Sequence, residues 1–212
     1  MIRLDDDCPI GADTVVDELW CFAHDQLEQG RRVGAVGAVG SRFDDTSGRL
    51  VRVSDDEVAV AAAVPVSYLA TNNYAMFSME AMRAVGGFDS ELFYGHSEVE
   101  FGRRLRRHGY ELLACGALWR RLGRQSDGAG ASFGLRPLDW RRYYSLRNQV
   151  YIAKRDQGRR ATLRIVVVRA LIKPLAHLPV GPRAALSHLA CNLRAVRDGW
   201  FGRLGRSLET SG

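Results

Sequence analysis

Apolar residues along the chain recur with two spacings, and the switch between them marks out the elements. Ile2 to Leu4 reads as the end of a buried strand. From Gly11 to Gly30, Val15, Val16, Leu19, Trp20, Phe22, Ala23 and Leu27 recur at helical spacing, with Asp13 near the start and Gly30 as the stop. Arg32 to Phe43 reads as a strand, 44–48 as a turn, Leu50 to Val53 as a short return strand, and Val58 to Leu69 as an apolar, irregular or extended stretch interrupted by Pro65. Ser78 is placed to cap a short helix that runs to Val85 and stops at Gly86-Gly87. Glu98 to His108 reads as a helix ended by Gly109, and Tyr110 to Cys115 as a strand. The spacing predicts three further helices, over 139–155, about 160–177 with a bend or end near Pro174, and about 182–201. Trp20 and Trp140 read as core residues, and His24, His108, His177 and His188 as ordinary surface or helix histidines.

Composition narrows the class. The chain has 212 residues, enough for one substantial core or one domain with an appendage. Cys8, Cys21, Cys115 and Cys191 are too dispersed for a disulfide framework or a zinc site and suit a reducing compartment. The first residues run directly into acidic sequence, so no secretory signal is expected. No apolar stretch is long enough to cross a bilayer.

Charge divides the chain. From Arg120 onward there are 19 Lys+Arg against 5 Asp+Glu, whereas the preceding residues carry 11 against 19. The basic half should seek phosphate-bearing surfaces. Within it, 162–178 mixes aliphatic residues with Arg164, Arg169 and Lys173, which suits either an interfacial helix on anionic lipid or an amphipathic helix packed on its own domain. Nucleic-acid binding is permitted by charge alone, but no helix-turn-helix, RNP or zinc signature supports it.

Two acidic clusters carry the candidate chemistry. Asp5, Asp6 and Asp7 follow the first strand, and three carboxylates this close are best held together by a divalent cation; a solvated acidic turn or a helix's first turn is the alternative. The second cluster is Asp89-Ser90-Glu91 with His96-Ser97-Glu98-Val99-Glu100, opening a helix whose N-terminal dipole favours a carboxylate. Glu98 and Glu100 lie two apart, so only one of them can face a given cleft.

The stretch Ala84-Val85-Gly86-Gly87-Phe88-Asp89, Leu92-Phe93, Ser97-Glu98-Val99-Glu100-Phe101 and Arg103-Arg104-Leu105-Arg106-Arg107-His108-Gly109-Tyr110 resembles the inverting nucleotide-sugar glycosyltransferases of sequence family 2, which have the GT-A fold. Leu4-Asp5-Asp6-Asp7 is similar to that family's DxD motif. The resemblance covers roughly residues 2–120, and Arg142-Tyr143-Tyr144-Ser145-Leu146-Arg147-Asn148 resembles a segment that follows the core in bacterial rhamnosyl- and galactofuranosyltransferase-like members.

The resemblance implies an α/β fold: a partial GT-A core with a Rossmann-like mixed sheet flanked by helices over 1–119, a mobile loop over 120–138, and a basic helical extension over 139–212. It implies Asp5 and Asp7 as ligands of Mg²⁺ or Mn²⁺, Asp6 as a ribose contact, and Glu98 as general base for one inverting displacement. Asn72 and Asn73 fall where the family places donor and acceptor contacts, with an Asn-capped turn as the equal alternative. His96 is a substrate contact or an exposed loop histidine, and Trp119 a stacking platform or a core residue. The implied partners are a nucleotide-sugar donor, a glycan or lipid-linked acceptor and an anionic membrane surface. The implied location is cytoplasmic, peripheral on the inner face of the plasma membrane. The non-catalytic alternative is a membrane-surface or partner-binding remnant of such an enzyme.

Three departures from the family pattern shape these expectations. Glu98 stands where aspartate is usual, in a Ser-Glu rather than a Glu-Asp pair. Many members carry a histidine as third metal ligand where Trp119 is here followed by Arg120-Arg121; arginine can contact a diphosphate but cannot ligate a metal. The family's nucleotide-binding half, about one βαβαβ unit, normally precedes the DxD strand, so a shortened reading of the gene is expected in preference to a complementing partner chain.

Overall fold

The computed structural model describes residues 2–3, 14–44, 49–69, 74–126, 140–179 and 181–207. Two compact units emerge. The first comprises 1–43, 50–88 and 98–132, and the second 44–49, 89–97 and 133–212.

The first unit is mixed α/β. Its elements are β1 (Ile2–Arg3), α1 (Val15–Glu28), β2 (Val33–Gly37), β3 (Gly40–Asp44), β4 (Arg49–Arg52), α2 (Asp55–Val60), β5 (Ala63–Val66), β6 (Tyr68–Leu69), β7 (Ala75–Phe77), α3 (Met79–Val85), α4 (Ser97–Arg107), β8 (Glu111–Cys115) and α5 (Gly116–Ser126). Five strands form one sheet in the order β1-β7-β2-β8-β5, and three form a second in the order β4-β3-β6. In the larger sheet β2 and β8 are parallel, while β7 runs antiparallel to β1 and β2, and β5 antiparallel to β8.

The predicted single strand over 32–43 is divided. It bends at Ala38-Val39, and β2 and β3 enter different sheets. The stretch from Val58 to Leu69, expected to be irregular or extended, begins in the last turn of α2 and continues as β5 and β6; α2 is capped by Ser54, whose Oγ accepts from the Glu57 N–H at 3.3 Å. Pro65 sits in β5 at the sheet's edge, where a missing N–H costs least. The Ser78 cap is present: its Oγ accepts from the Ala81 N–H at 3.2 Å. Trp20, expected in the core, is 66 % exposed on α1, which buries Val15, Leu19 and Gln26 instead. Phe77, Phe88 and Phe101 pack together beside the sheet, with Phe88 and Phe101 centroids 4.5 Å apart.

The first residues of the loop expected from Arg120 are helical instead. Leu118, Trp119 and Leu122 give α5 an inward face, and the helix continues through Ser126. The rest of that predicted loop, 127–138, lies outside the described residues.

The second unit is helical: α6 (Trp140–Asp156), α7 (Arg159–Ile165), a π-helical segment Val166–Ile172, α8 (Lys173–Leu175) and α9 (Pro182–Trp200). After this change of winding the helical run ends at Leu175, beside Pro174, as expected. α6 and α9 cross closely at Gly199, where a β-carbon would lie 2.3 Å from the Arg147 carbonyl oxygen. Asp198 is buried there. Burial opposes its ionisation, but the Tyr143 hydroxyl, donating at 2.7 Å, and Arg197 hold its carboxyl below the usual range. His177 and His188, read as ordinary surface or helix histidines, are buried and stacked with centroids 3.8 Å apart.

Candidate functional site

Strand register places several chain segments at one edge of the first unit's sheet. Arg3, Ala75, Gly37, Ala114 and Val64 lie in a single row across the five strands. Because β1, β2 and β8 run in the same direction, their carboxyl ends leave past this row, while β7 and β5 enter from it. The carboxyl edge of an open α/β sheet is the usual place for a ligand crevice. Asp5, Asp6 and Asp7 follow Arg3 within four residues, and Asn72 and Asn73 precede Tyr74 and Ala75. These five residues lie outside the described residues.

Glu98 reaches the level of the same edge through α4. Leu105 packs against the start of β2 at Gly34, and Gly102 touches the Ser67 carbonyl and Leu112, with no room for a β-carbon, which would lie 2.7 Å from that oxygen. Going back from Leu105 to Glu98 climbs roughly 10 Å along the helix. Climbing from Gly34 to Gly37 along β2 is also about 10 Å. Glu98 is half-buried in the helix's first turn.

The two carboxylates of this turn have different surroundings. Glu100 is 1 % exposed and ion-paired to Arg104 at 2.8 Å. The same guanidinium donates to the Val85 carbonyl at 2.8 Å and the Gly87 carbonyl at 2.6 Å. Arg104 thus ties the buried glutamate to the Gly86-Gly87 turn, where Gly86 has φ of +82°. Its position one turn after Glu100 is the signal in the sequence for this pair.

Trp119 and Arg120 take structural places. Trp119 is buried in the hydrophobic core with Val58 and Val64, so its ring offers no open face for stacking on a sugar. Arg120 donates through Nη1 to the carbonyls of Val58 at 2.7 Å, Ala59 at 3.3 Å and Ala61 at 3.4 Å, closing the end of α2. The structure thus gives Arg120 a capping role.

His96, in the second unit, is not an exposed loop residue. It adopts φ of +64°, and its Nδ1 is buried without a hydrogen-bond partner among the described residues. Burial, reinforced by Arg169, lowers its pKa to about 4, so the ring is neutral near pH 7. The loop that carries it is pinned from α6. Asn148 donates through Nδ2 to the carbonyls of Tyr94 and Gly95, both at 2.9 Å, and Arg147 donates to Gly205 at 2.6 Å. Phe93 packs on Tyr144 and Tyr94 on Trp140, each with centroids 4.9 Å apart. These contacts give the Arg142–Asn148 segment a structural purpose.

Among the described residues no group of three or more His, Cys, Asp or Glu side chains could hold a metal ion. The donor set nearest the edge in sequence, Asp5 to Asp7, is all oxygen, which fits a hard cation such as Mg²⁺ or Mn²⁺. Compared with protein-family models, curated proteins and solved structures, the chain finds no match.

Proposed function

We propose that the first unit is the carboxyl-terminal part of a GT-A core that transfers a sugar from a nucleotide-diphosphate donor to a hydroxyl acceptor with inversion. The observation that carries the reading is the strand register: the carboxyl ends of β1, β2 and β8 and the entry to β7 share one edge of the sheet, and the rise of α4 from its contacts at Gly34 and Gly102 brings its first turn to about that height. The aspartate trio follows the first of these ends and Asn72-Asn73 precedes the entry.

In this reading Glu98 takes the proton from the acceptor hydroxyl. That oxygen bonds to the anomeric carbon as the bond to the diphosphate breaks on the opposite face. Asp5 and Asp7 would hold Mg²⁺ or Mn²⁺, which when bound neutralises charge on the departing diphosphate. Asp6, Asn72 and Asn73 are the proposed donor and acceptor contacts. Glu100 is excluded as the base because its carboxylate is buried against Arg104.

The test supplies nucleotide sugars and hydroxyl acceptors with Mn²⁺ and follows the anomeric configuration of the product. Inverted product that disappears in Glu98→Gln supports the assignment, and product formed equally by that variant removes it.

A further inference from the structure

The segment from α7 to α8 has apolar residues on both of its sides. Thr162, Ile165, Ala170, Pro174 and His177 are buried within the second unit. On the other side, Leu163, Val167, Leu171, Ile172, Leu175 and Leu178 are each between 42 and 57 % exposed. An exposed row of large aliphatic side chains rimmed by charged residues marks an interaction surface. The spacing of Leu163, Val167, Leu171 and Leu175, every fourth residue, runs them along one line. Ile172, at the end of the π-helical segment, is exposed beside Leu171.

Charge selects the occupant. Between Asp156 and Asp198 there are eight arginines and lysines and no acidic residue. Arg159, Arg160, Arg164 and Lys173 are exposed on the same segment as the stripe. A second copy of the chain would bring two such basic strips together, and like charges in contact oppose that pairing. A nucleic acid would meet the arginines but leave the six aliphatic side chains without a counterpart. An anionic bilayer surface matches both, with acyl chains for the leucines and headgroup phosphates for the rim.

We infer that the α7–α8 stripe is a docking surface for anionic phospholipid, on which the helix lies in the plane of the interface. No described helix is long and apolar enough to cross a membrane, so the contact is peripheral. Two signals act together, aliphatic insertion and basic attraction, as reversible but firm anchoring requires. Each exposed cation near the surface strengthens binding by about five-fold at low salt, and screening above roughly 0.1 M salt removes much of that. This inference does not depend on the sugar-transfer reading.

The test is co-sedimentation of the full chain with phosphatidylcholine vesicles, with and without phosphatidylglycerol. Binding is expected on the anionic vesicles and is expected to fall as salt rises. Leu175→Glu should weaken partition about ten-fold or more, the loss of one inserted leucine. Leu178→Glu should act in the same way, and both sites are exposed enough to leave the fold intact. Arg159→Glu with Arg160→Glu should weaken binding to the anionic vesicles; both lie in the first turn of α7, where carboxylates are tolerated. Absence of binding at low salt overturns the inference. So does binding unchanged by either leucine substitution, or self-association without lipid that the same substitutions abolish.

Discussion

Arg104 and Glu100 form an ion pair of 2.8 Å across one turn of α4, and the arginine reaches on to the carbonyls of Val85 and Gly87. The pair divides the labour of the acidic helix start. A carboxylate with 1 % exposure cannot lose its partner cheaply, since removing one member of a buried pair leaves the other charged and unsolvated. Arg104→Ala is expected to destabilise the protein by about 3 kcal/mol, measured by chemical denaturation. A change below about 0.5 kcal/mol, the size typical of plain surface substitutions, would show that the pair is ornamental.

Glu98→Gln should behave in the opposite way. The side chain is half-buried and the substitution keeps its shape, so thermal stability should stay close to wild type. Sugar transfer should fall by at least about 100-fold, the lower bound for removing a general base. Comparing melting curves with turnover for both variants separates a structural glutamate from a catalytic one.

The sequence made part of this legible. The Ser78 cap, the Gly86-Gly87 stop and the limits of α6 and α9 follow from local chemistry, and the structure keeps them. The partition of 32–43 between two sheets does not, because the strand pattern is continuous and only the partners of β2 and β3 differ. Helix α2 carried a readable Ser54-x-x-Glu57 signal just before the apolar stretch from Val58 that suggested extended chain. Helix α5 was hidden by its glycine and arginine content, and its inward face shows only against the core it packs on. At the site, the two acidic clusters stand out by composition. The roles of Arg104 and Asn148 depend on distant carbonyls that sequence spacing does not reveal.

Asn148 has no exposed surface and supplies two hydrogen bonds to the loop at Tyr94 and Gly95. Asn148→Leu keeps the branched outline of the side chain but leaves both carbonyls without that donor and Arg147 Nε without its Asn148 acceptor. A loss of about 2 kcal/mol is expected, with amide hydrogen exchange accelerating first in residues 91–96. Uniform acceleration across the second unit would show that Asn148 supports the bundle as a whole.

Stability should fall with acid through His96. An unfolded histidine titrates near about 6.5, while burial, with Arg169 adding to it, lowers His96 to about 4. Above the unfolded value neither state holds the proton and stability is complete. As the pH falls from 6.5 towards 4 the unfolded chain gains a proton that the fold excludes, removing up to about 3 kcal/mol. His188, lowered by burial and then by Arg142 and His177, adds a loss of the same sign. In His96→Asn, which tolerates the positive φ, the slope of stability against pH over this range should shrink. An unchanged slope would assign the acid sensitivity elsewhere.

The shared edge is tested most directly by Mn²⁺ titration, with each nucleoside diphosphate in turn, followed through paramagnetic broadening of backbone amide signals. Broadening is expected to centre on Gly37, Ala75, Cys115 and Glu98 and to be lost in the Asp5→Ala, Asp7→Ala double variant. Broadening that spares Glu98, or that persists unchanged in the double variant, would contradict a common crevice for the aspartate trio and the helix-borne base.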